Sequence, residues 1–330
     1  MTNPSAPPGE FDLISRYFAP LSRSLIGAAN LTDDTASLPI GAGHEVVVTM
    51  DTMVAGVHFL ADDPPDLIAR KLLRVNLSDL ASAGARPVTY LLALSLPDGT
   101  AENWVAGFAK GLAEDQKIFD IALSGGDTTV TPGPLTLSLT AIGEVLVGKT
   151  IRRSTARPGQ DIYVSGAIGD AALALFLIEN GGVQKALAQA PDLLARYRCP
   201  EPRTQLGIEL RDLATAMIDV SDGLVADLGH ICEASTIGAE IMFAQIPLSR
   251  PVERMIAGDP SLAERAITGG DDYELLFTAR PGDAAALGEL AIRLDLPLTR
   301  IGRTLAGTEP IVLSASGEAM SLDRAGWQHF

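Results

Sequence analysis

The residues of this chain best suited to chemistry are aspartates at the ends of apolar runs. The stretch MIDVSDGLVADLGH, residues 217–230, passes from a strand-like start into a helix-like end and carries three aspartates without any Lys or Arg. An unpaired charge near a buried strand end is costly unless a cation arrives. The aspartates of this kind, from both halves of the chain, are Asp33, Asp34, Asp51, Asp79, Asp127, Asp219, Asp222, Asp271 and Asp272. Carboxylates at strand ends are ligands that Mg²⁺ prefers, so the pattern favours a magnesium site.

Each aspartate taken singly also has an ordinary structural explanation. Asp222 or Ser221 before a helix is typical of an N-cap, and Asp127 after two glycines is typical of a turn. Asp79 is harder to explain in this way, because a helix would place no basic residue three or four positions before it. The structural explanations would have to hold at all these positions together, so we keep metal binding as the hypothesis.

Magnesium with few basic residues nearby suggests a metal-bound polyphosphate, and the sequence contains one literal phosphate-loop pattern. Residues 143–150, GEVLVGKT, fit GxxxxGK[ST] letter for letter. A true phosphate loop follows a strand and opens a helix, whereas EVLV is typical of a strand interior and IRRSTARPG is a poor helix. We therefore interpret this stretch as a strand. The patterns GxGxxG and HExxH and a serine nucleophile elbow are absent, and the four histidines show no metal-ligand spacing.

Composition excludes several classes of function. The chain of 330 residues has 25 Lys and Arg against 41 Asp and Glu, a net charge of −16, which argues against nucleic acid and against an anionic membrane surface. The two cysteines, Cys199 and Cys232, form no CxxC pattern, as is typical of a reducing cytoplasm. No secretory signal and no membrane-length apolar run is recognisable, so we expect a soluble cytoplasmic protein.

The elements that must position these aspartates alternate between strand and helix. Strands are predicted over 45–51, 88–96, 119–127 (ending in a tight turn), 135–147, 161–165, 238–243, 273–279 and in a final pair, and helices over 64–84, 101–116, 169–180 and 203–213. The pattern restarts in the basic, Pro- and Gly-bearing stretch after residue 147, which predicts two domains, 1–149 and 150–330. The fold class is mixed α and β in two domains.

Six motifs, in order and spread over almost the whole chain, resemble those of bacterial thiamine-monophosphate kinases. They are GEFDLISRYF, MDTMVAGVHF, VNLSDLASAGARP, LSGGDTT, IDVSDGLVADLGH and TGGDDYELLF. That family is related to aminoimidazole ribonucleotide synthetase, selenophosphate synthetase and the hydrogenase-maturation dehydratase. The resemblance implies an N-terminal domain whose mixed sheet pairs with its copy in a homodimer. It also implies a C-terminal α/β domain that completes the site for ATP, several Mg²⁺ ions and the substrate.

The resemblance further implies which residues form the site. The magnesium ligands would be Asp34, Thr49, Met50, Asp51, Asp79, Asp127, Asp219 and Asp222. ATP would contact Gly126, Asp127, Arg153 and Ser221, and thiamine would face His58, Asp271 and Trp327. The sequence departs from the family at three places: LTDD stands for the usual IGDD, GGDDYEL stands for GGEDYEL, and the Met50 position often carries a hydroxyl side chain.

The implied reaction is direct in-line transfer of the γ-phosphoryl group of ATP to thiamine monophosphate, which gives thiamine diphosphate and ADP. No general base is expected, because a phosphate monoester with a second pKa of ~6 is largely ionised at neutral pH. Two alternatives stay open. One is a sister ATP-dependent enzyme, although selenophosphate synthetase would carry a reactive Cys near the N-terminus and the first Cys here is Cys199. The other is an acidic magnesium- or nucleotide-binding module without turnover.

Overall fold

A computed structural model describes residues 9–327 as two compact units. The first unit consists of the chain up to Leu80 and Arg86–Val147, and the second consists of Ala81–Ala85 and the chain from Gly148 onward. Each unit has its own sheet. Among residues 9–327, no helix combines the length and the apolar character that crossing a bilayer requires.

The first unit is built on a four-stranded mixed sheet. Its strands are β1 (His44–Val54), β2 (Arg86–Pro97), β3 (Ala122–Thr131) and β4 (Thr136–Leu146), in the order β1-β4-β2-β3. β4 is antiparallel to both of its neighbours, and β2 and β3 are parallel. The helices are α1 (Glu10–Leu13), α2 (Pro65–Ser82) and α3 (Glu102–Phe119), with a π-helical turn Ile14–Phe18 and 3₁₀ turns Ala19–Ser22 and Ile26–Leu31.

One face of this sheet is covered and the other is exposed. On β2, Leu92, Leu94 and Leu96 are buried, whereas alternate residues of β1 such as Val48 are exposed, as the two-residue period of a strand requires. The helices α2 and α3 approach at backbone distance, because a Cβ at Gly111 would lie 2.2 Å from the carbonyl oxygen of Asp66. The first unit therefore buries one side of its sheet and leaves an apolar surface on the other.

The second unit is built on a six-stranded sheet. Its strands are β5 (Asp161–Ser165), β6 (Ala214–Asp219), β7 (Gly238–Met242), β8 (Leu275–Ala279), β9 (Leu298–Leu305) and β10 (Pro310–Leu313), in the order β10-β7-β9-β5-β8-β6. All neighbours are antiparallel except β10 and β7. The helices are α4 (Asp170–Glu179), α5 (Gly182–Gln189), α6 (Pro191–Arg198), α7 (Thr204–Glu209), α8 (Leu224–Ser235), α9 (Arg250–Gly258), α10 (Leu262–Thr268) and α11 (Ala284–Leu294). Short 3₁₀ turns cover Leu210–Asp212, Phe243–Gln245 and Pro281–Asp283.

Apolar clusters cover both faces of this second sheet. Ile162 and Val164 of β5 belong to one cluster, which includes residues of α8. Tyr163, between them, belongs to the other cluster with Phe277 of β8. Burial on both faces explains why β5 and β8 carry apolar residues at successive positions rather than at alternate ones.

Most of the predicted elements are present with small differences at their ends, and the mixed α/β class is confirmed. The predicted helix 203–213 ends early, because its last turn has 3₁₀ geometry. The strand interpretation of GEVLVGKT is confirmed: residues 143–146 belong to β4, and residues 147–160 contain no helix. The tight turn predicted at residue 127 is wrong, because β3 continues to Thr131 and stays paired with β2 as far as Pro97.

Candidate functional site

In the first unit, β1 and α2 bring three of the predicted site residues together. Strand alternation places Thr49 and Asp51 on the face of β1 that meets α2, where Thr49 Oγ1 donates to Asp79 Oδ2 at 2.5 Å. The backbone N–H of Asp51 donates to Asn76 Oδ1 at 3.1 Å, so Asn76, which the sequence did not single out, fixes the strand against the helix. Burial raises the pKa of the Asp79 carboxyl, and the Thr49 hydrogen bond opposes that shift.

Two basic residues of α2, Arg70 and Arg74, form ion pairs with a carboxylate of α3. Arg74 Nε donates to Asp115 Oδ2 at 2.6 Å, and Arg70 Nε donates to Asp115 Oδ1 at 3.0 Å. Asp115 belongs to α3 and is fully buried. These two guanidinium groups therefore join α2 to α3 and are directed to a carboxylate other than Asp79.

Other predicted residues of the first unit are solvent-exposed. Gly126 and Asp127 are exposed on β3, and Asp34 is exposed in the loop before β1. A Cβ at Gly126 would lie 1.9 Å from the carbonyl oxygen of Leu92, so the pairing of β3 with β2 leaves no room for a side chain there. Met50 points to the opposite face of β1 from Thr49, and its side chain is exposed.

His58 is held in a short turn after β1. Its Nδ1 accepts a hydrogen bond from the Val54 N–H at 3.1 Å, so the neutral ring carries its proton on Nε2. Lys71 of α2, which is almost fully buried, donates to the carbonyl oxygen of His58 at 3.0 Å. These two hydrogen bonds therefore fix the His58 turn against β1 and α2.

In the second unit, the loop between β6 and α8 carries Asp219, Ser221 and Asp222. Asp219 ends β6 and is buried, whereas Asp222 is half-buried. The buried carboxylate of Asp227 accepts the backbone N–H groups of Ser221, Asp222 and Gly223 on one oxygen, at 3.1, 3.1 and 3.2 Å. Burial, with a smaller contribution from the charge of Asp222, raises the pKa of Asp227 to about 7, and the three backbone bonds oppose this shift.

Asp227 also lies in the one group of three side chains, within residues 9–327, whose geometry suits a metal ion. Ligand atoms of Asp222, Asp227 and His230 lie within 4.8 Å of one another. The sequence analysis gave no role to Asp227 or His230. Their spacing of three residues on α8, which puts both on one helix face, was the signal that would have found them.

The segment 269–274 packs directly against this loop and carries Asp271. The N–H of Asp271 donates to the carbonyl oxygen of Ser221 at 2.9 Å, and the N–H of Tyr273 donates to that of Val220 at 2.8 Å. Asp271 adopts a left-handed backbone with φ of +71°, and its Oδ1 accepts the Tyr273 hydroxyl at 3.0 Å. The structure therefore places the side chain predicted to face thiamine next to the loop predicted to bind metal and ATP.

The two neighbouring acids of this segment are buried and held by other groups. Asp272 accepts the Gly169 N–H on both oxygens at 3.0 Å, and burial raises the pKa of its carboxyl well above the usual value. Glu274, also buried, accepts Arg203 Nε at 2.7 Å and Ser165 Oγ at 2.6 Å. Asp272 and Glu274 therefore anchor the segment that carries Asp271.

The C-terminal end of the described chain contacts the loop between β6 and α8. The N–H of Trp327 donates to the carbonyl oxygen of Asp222 at 2.9 Å, and the Trp327 side chain is 53% exposed. Four predicted site residues of the second unit, namely Ser221, Asp222, Asp271 and Trp327, are thus linked by backbone hydrogen bonds. Arg153 is exposed, and its carbonyl oxygen accepts Ser235 Oγ at 2.9 Å.

Comparison with known proteins agrees with this architecture. Residues 32–145 match the N-terminal domain of AIR synthase related proteins, and residues 157–313 match the C-terminal domain. The fold and the aspartate motifs thus define an AIR synthase related protein. A thiamine-monophosphate kinase of Caulobacter vibrioides is 43% identical over 328 residues, which cover 98% of this chain and 92% of that protein. The chain belongs to the thiamine-monophosphate kinase family.

Solved structures give the same result. The crystal structure of thiamine-monophosphate kinase from Stenotrophomonas maltophilia K279a matches with a TM-score of 0.83 and 44% identity, covering 92% of this chain and 98% of that chain. AaThiL complexed with AMPPCP and TMP matches with a TM-score of 0.74 and 30% identity, covering 98% and 97% of the two chains.

Proposed function

We propose that this chain transfers the γ-phosphoryl group of ATP to thiamine monophosphate, which gives thiamine diphosphate and ADP in thiamine diphosphate biosynthesis. The observation that carries the proposal is the match, over nearly the full length of both chains, to thiamine-monophosphate kinases at 42–43% identity. The likeness to AaThiL complexed with AMPPCP and TMP supports it, because that complex pairs an ATP analogue with TMP.

We propose that oxygen ligands from each unit hold several Mg²⁺ ions. The candidates are Asp34, Thr49, Met50, Asp51, Asp79, Asp127, Asp219 and Asp222. The donor set fits Mg²⁺, because carboxylate, hydroxyl and carbonyl oxygens are its preferred ligands. The contact between Thr49 and Asp79 at 2.5 Å supports this, since it already brings two such oxygens together beside a desolvated carboxylate. Met50 would contribute through its backbone, because its side chain points to the other face of β1.

The residues of the chain would then act mainly by positioning. Bound Mg²⁺ would supply the positive charge that lets two anionic phosphates approach. Gly126, Arg153 and Ser221 would contact ATP, with Gly126 allowing close approach of backbone. His58 and Asp271 would face thiamine and orient it, and Trp327 would offer an aromatic surface to its ring. In phosphoryl transfer, the protein contributes mainly by holding the attacking and leaving oxygens in line.

No side chain is needed as a general base. The attacking oxygen belongs to a phosphate whose second pKa is ~6, so it is already ionised at neutral pH. The proposed reaction is therefore a single direct transfer without a phosphoenzyme.

We also propose that the chain is a homodimer of the cytoplasm and binds neither nucleic acid nor membrane. The dimer is supported by the exposed apolar face of the first unit's sheet, where Val46, Val48 and Met50 of β1 and Leu91 of β2 are exposed. The low count of two cysteines without a CxxC pattern supports a reducing compartment. The net charge of −16 argues against nucleic acid as a partner.

The test is ADP release measured with ATP, Mg²⁺ and thiamine monophosphate, and with each component omitted in turn. We expect ADP only when all three are present. Asp127→Asn should keep the fold, because Asp127 is exposed on β3, yet it should lower turnover by at least about 100-fold if its carboxylate holds metal. Asp98→Asn, which removes the same charge from an exposed turn of the same unit, is the matched control and should keep normal turnover.

Two results would contradict these expectations. ADP formed equally without thiamine monophosphate would assign a different acceptor and would favour a sister activity. Near-normal turnover of Asp127→Asn would remove Asp127 from the metal site and leave the rest of the proposal standing.

A further inference from the structure

Asp227 is a buried carboxylate for which the proposed reaction has no role. It lies in the first turn of α8 and is 1% exposed. Its Oδ2 accepts three consecutive backbone N–H groups, those of residues 221–223. A carboxylate oxygen is a strong hydrogen-bond acceptor, and here it is shared by three donors. One side chain therefore fixes the peptide that carries Ser221 and Asp222.

The surroundings of this peptide show why it needs such an anchor. Gly223 has φ of +123°, and a Cβ there would lie 2.7 Å from the carbonyl oxygen of Thr268, so the loop turns sharply against the end of α10. The N–H groups at this point precede α8 and have no helix carbonyl four residues back to accept them. Asp227 reaches back from inside the helix and supplies the missing acceptor.

The geometry gives Oδ2 of Asp227 a role other than that of a metal ligand. Three N–H groups direct their positive ends at Oδ2 of Asp227, which is the arrangement of an anion-binding nest. A cation on the same oxygen would meet those three positive ends. Asp222, by contrast, donates its N–H to Asp227 while its own carboxylate is half-buried.

We propose that Asp227 is a positioning residue of the phosphoryl-transfer site: by binding the N–H groups of residues 221–223 it aims Ser221 and the carboxylates of Asp219 and Asp222. This inference rests on the proposed function for the reaction that the loop serves. The ordering of the loop itself does not depend on that reaction. Misplacing reacting groups by about 1 Å costs on the order of 100-fold in rate, so a loosened loop should be visible in turnover.

The test compares Asp227→Ala and Asp227→Asn with the unaltered chain by amide hydrogen exchange, without metal or nucleotide, over residues 217–230. In Asp227→Ala we expect the amides of residues 221–223 to exchange at least about tenfold faster, because they lose the acceptor that they share. The amides of β8 should keep their protection. Asp227→Asn retains one acceptor oxygen and should give an intermediate loss.

Steady-state kinetics with ATP, Mg²⁺ and thiamine monophosphate follow on the same proteins. We expect kcat to fall about 100-fold in Asp227→Ala and less in Asp227→Asn, with a smaller change in KM for thiamine monophosphate. Asp161→Asn is the matched control: it alters another buried acid of the second unit, at the opposite end of β8 from the loop. It should leave exchange of residues 221–223 and kcat near normal.

Unchanged protection of residues 221–223 in Asp227→Ala would overturn the inference. So would an Asp227→Asn variant that keeps the loop protected but loses as much turnover as Asp227→Ala, because that pattern identifies a direct ligand. If the unaltered chain transfers no phosphoryl group to thiamine monophosphate, the proposed function fails, while the exchange experiment still decides whether Asp227 orders the loop.

Discussion

At the scale of single residues, Glu274 shows how the second unit holds the segment 269–274 in place. Its buried carboxylate accepts hydrogen bonds from Arg203 and Ser165. The carboxylate lies so close to residue 166 that only glycine fits there, because a Cβ on Gly166 would lie 2.1 Å from Glu274 Oε1. Gly166 also has a positive φ of +58°. Glu274 thus fixes one end of the segment whose other residues include Asp271.

Breaking this buried pair should destabilise the second unit. Glu274→Gln leaves the guanidinium of Arg203, whose side chain is 13% exposed, without its carboxylate. Removing one partner of a buried pair costs about 3–5 kcal/mol, which should lower Tm by at least about 6 °C in thermal unfolding. Arg293→Gln, which breaks the exposed pair with Glu209, is the control and should change Tm little.

A double variant separates the cost of an unpaired Arg203 from the cost of losing the Glu274 carboxylate itself. Replacing both partners, Glu274→Gln with Arg203→Met, removes the more buried of the two guanidinium groups that pair with Glu274 and leaves only Arg196, which is 32% exposed, so it should recover part of the lost stability. A single Glu274→Gln variant as stable as the unaltered chain would show that the pair contributes nothing.

The environment of individual side chains was the feature that could least be predicted from the sequence. It identified the motif TGGDDYEL, but Asp271, Asp272 and Glu274 are all acids within four positions, and their burial depends on Gly169 and Arg203, which lie 70 or more residues away. Asp227 was overlooked for a different reason: its three partners are only four to six positions away, but they are backbone groups, which a side-chain pattern does not reveal. The roles given to the predicted ligands stay predictions.

At the scale of elements, β3 is the strand whose course the sequence predicted wrongly. Two glycines before Asp127 are typical of a turn, yet here they belong to a strand that pairs with β2. The register shifts between Tyr90 and Leu91, at the start of this glycine pair. Close contact between neighbouring strands, rather than a left-handed backbone, is what requires glycine at position 126.

The two glycines should therefore respond differently to the same substitution. A Cβ at Gly126 would lie 1.9 Å from the backbone oxygen of Leu92, whereas a Cβ at Gly125 would meet only the end of the Leu91 side chain at 3.2 Å. We expect Gly126→Ala to lose about 1–3 kcal/mol or more in urea unfolding, as overpacking does, and Gly125→Ala to lose little. Equal stability of the two variants would contradict the observed pairing of β2 with β3.

The other elements were predictable because their signals are local. The helix 64–84 has Pro at its entry and Gly at its exit, and α2 spans Pro65–Ser82. The phosphate-loop pattern at 143–150 was correctly set aside, because the residues after it lack any helical spacing. Strand order could not be predicted, since the pairing of β5 with β8 and β9 joins residues more than 100 positions apart.

At the scale of the whole molecule, the exposed face of the first sheet is the feature that the isolated chain leaves unexplained. Val48 is 58% exposed, and other apolar residues of β1 lie beside it on the same face. Isolated exposed apolar residues are common, but a contiguous strip on one sheet face is typical of an association surface. The proposed dimer would bury this strip.

A charge placed in the strip should weaken the dimer. We expect Val48→Lys to shift the sedimentation-equilibrium mass from dimer toward monomer, because a buried unpaired ammonium is costly. Ile292→Lys, at an 83% exposed apolar residue of α11 in the other unit, is the control and should leave the mass unchanged. An unaltered chain that sediments as a monomer, or a Val48→Lys variant that stays dimeric, would place the interface elsewhere or remove it.

The most direct test of the central claim is to follow the products by phosphorus NMR in a reaction of the unaltered chain with ATP, Mg²⁺ and thiamine monophosphate. The account predicts that the signal of thiamine monophosphate is replaced by the paired signals of a diphosphate ester while ADP forms in equal amount and no free phosphate accumulates. ADP with free phosphate and unchanged thiamine monophosphate would contradict it.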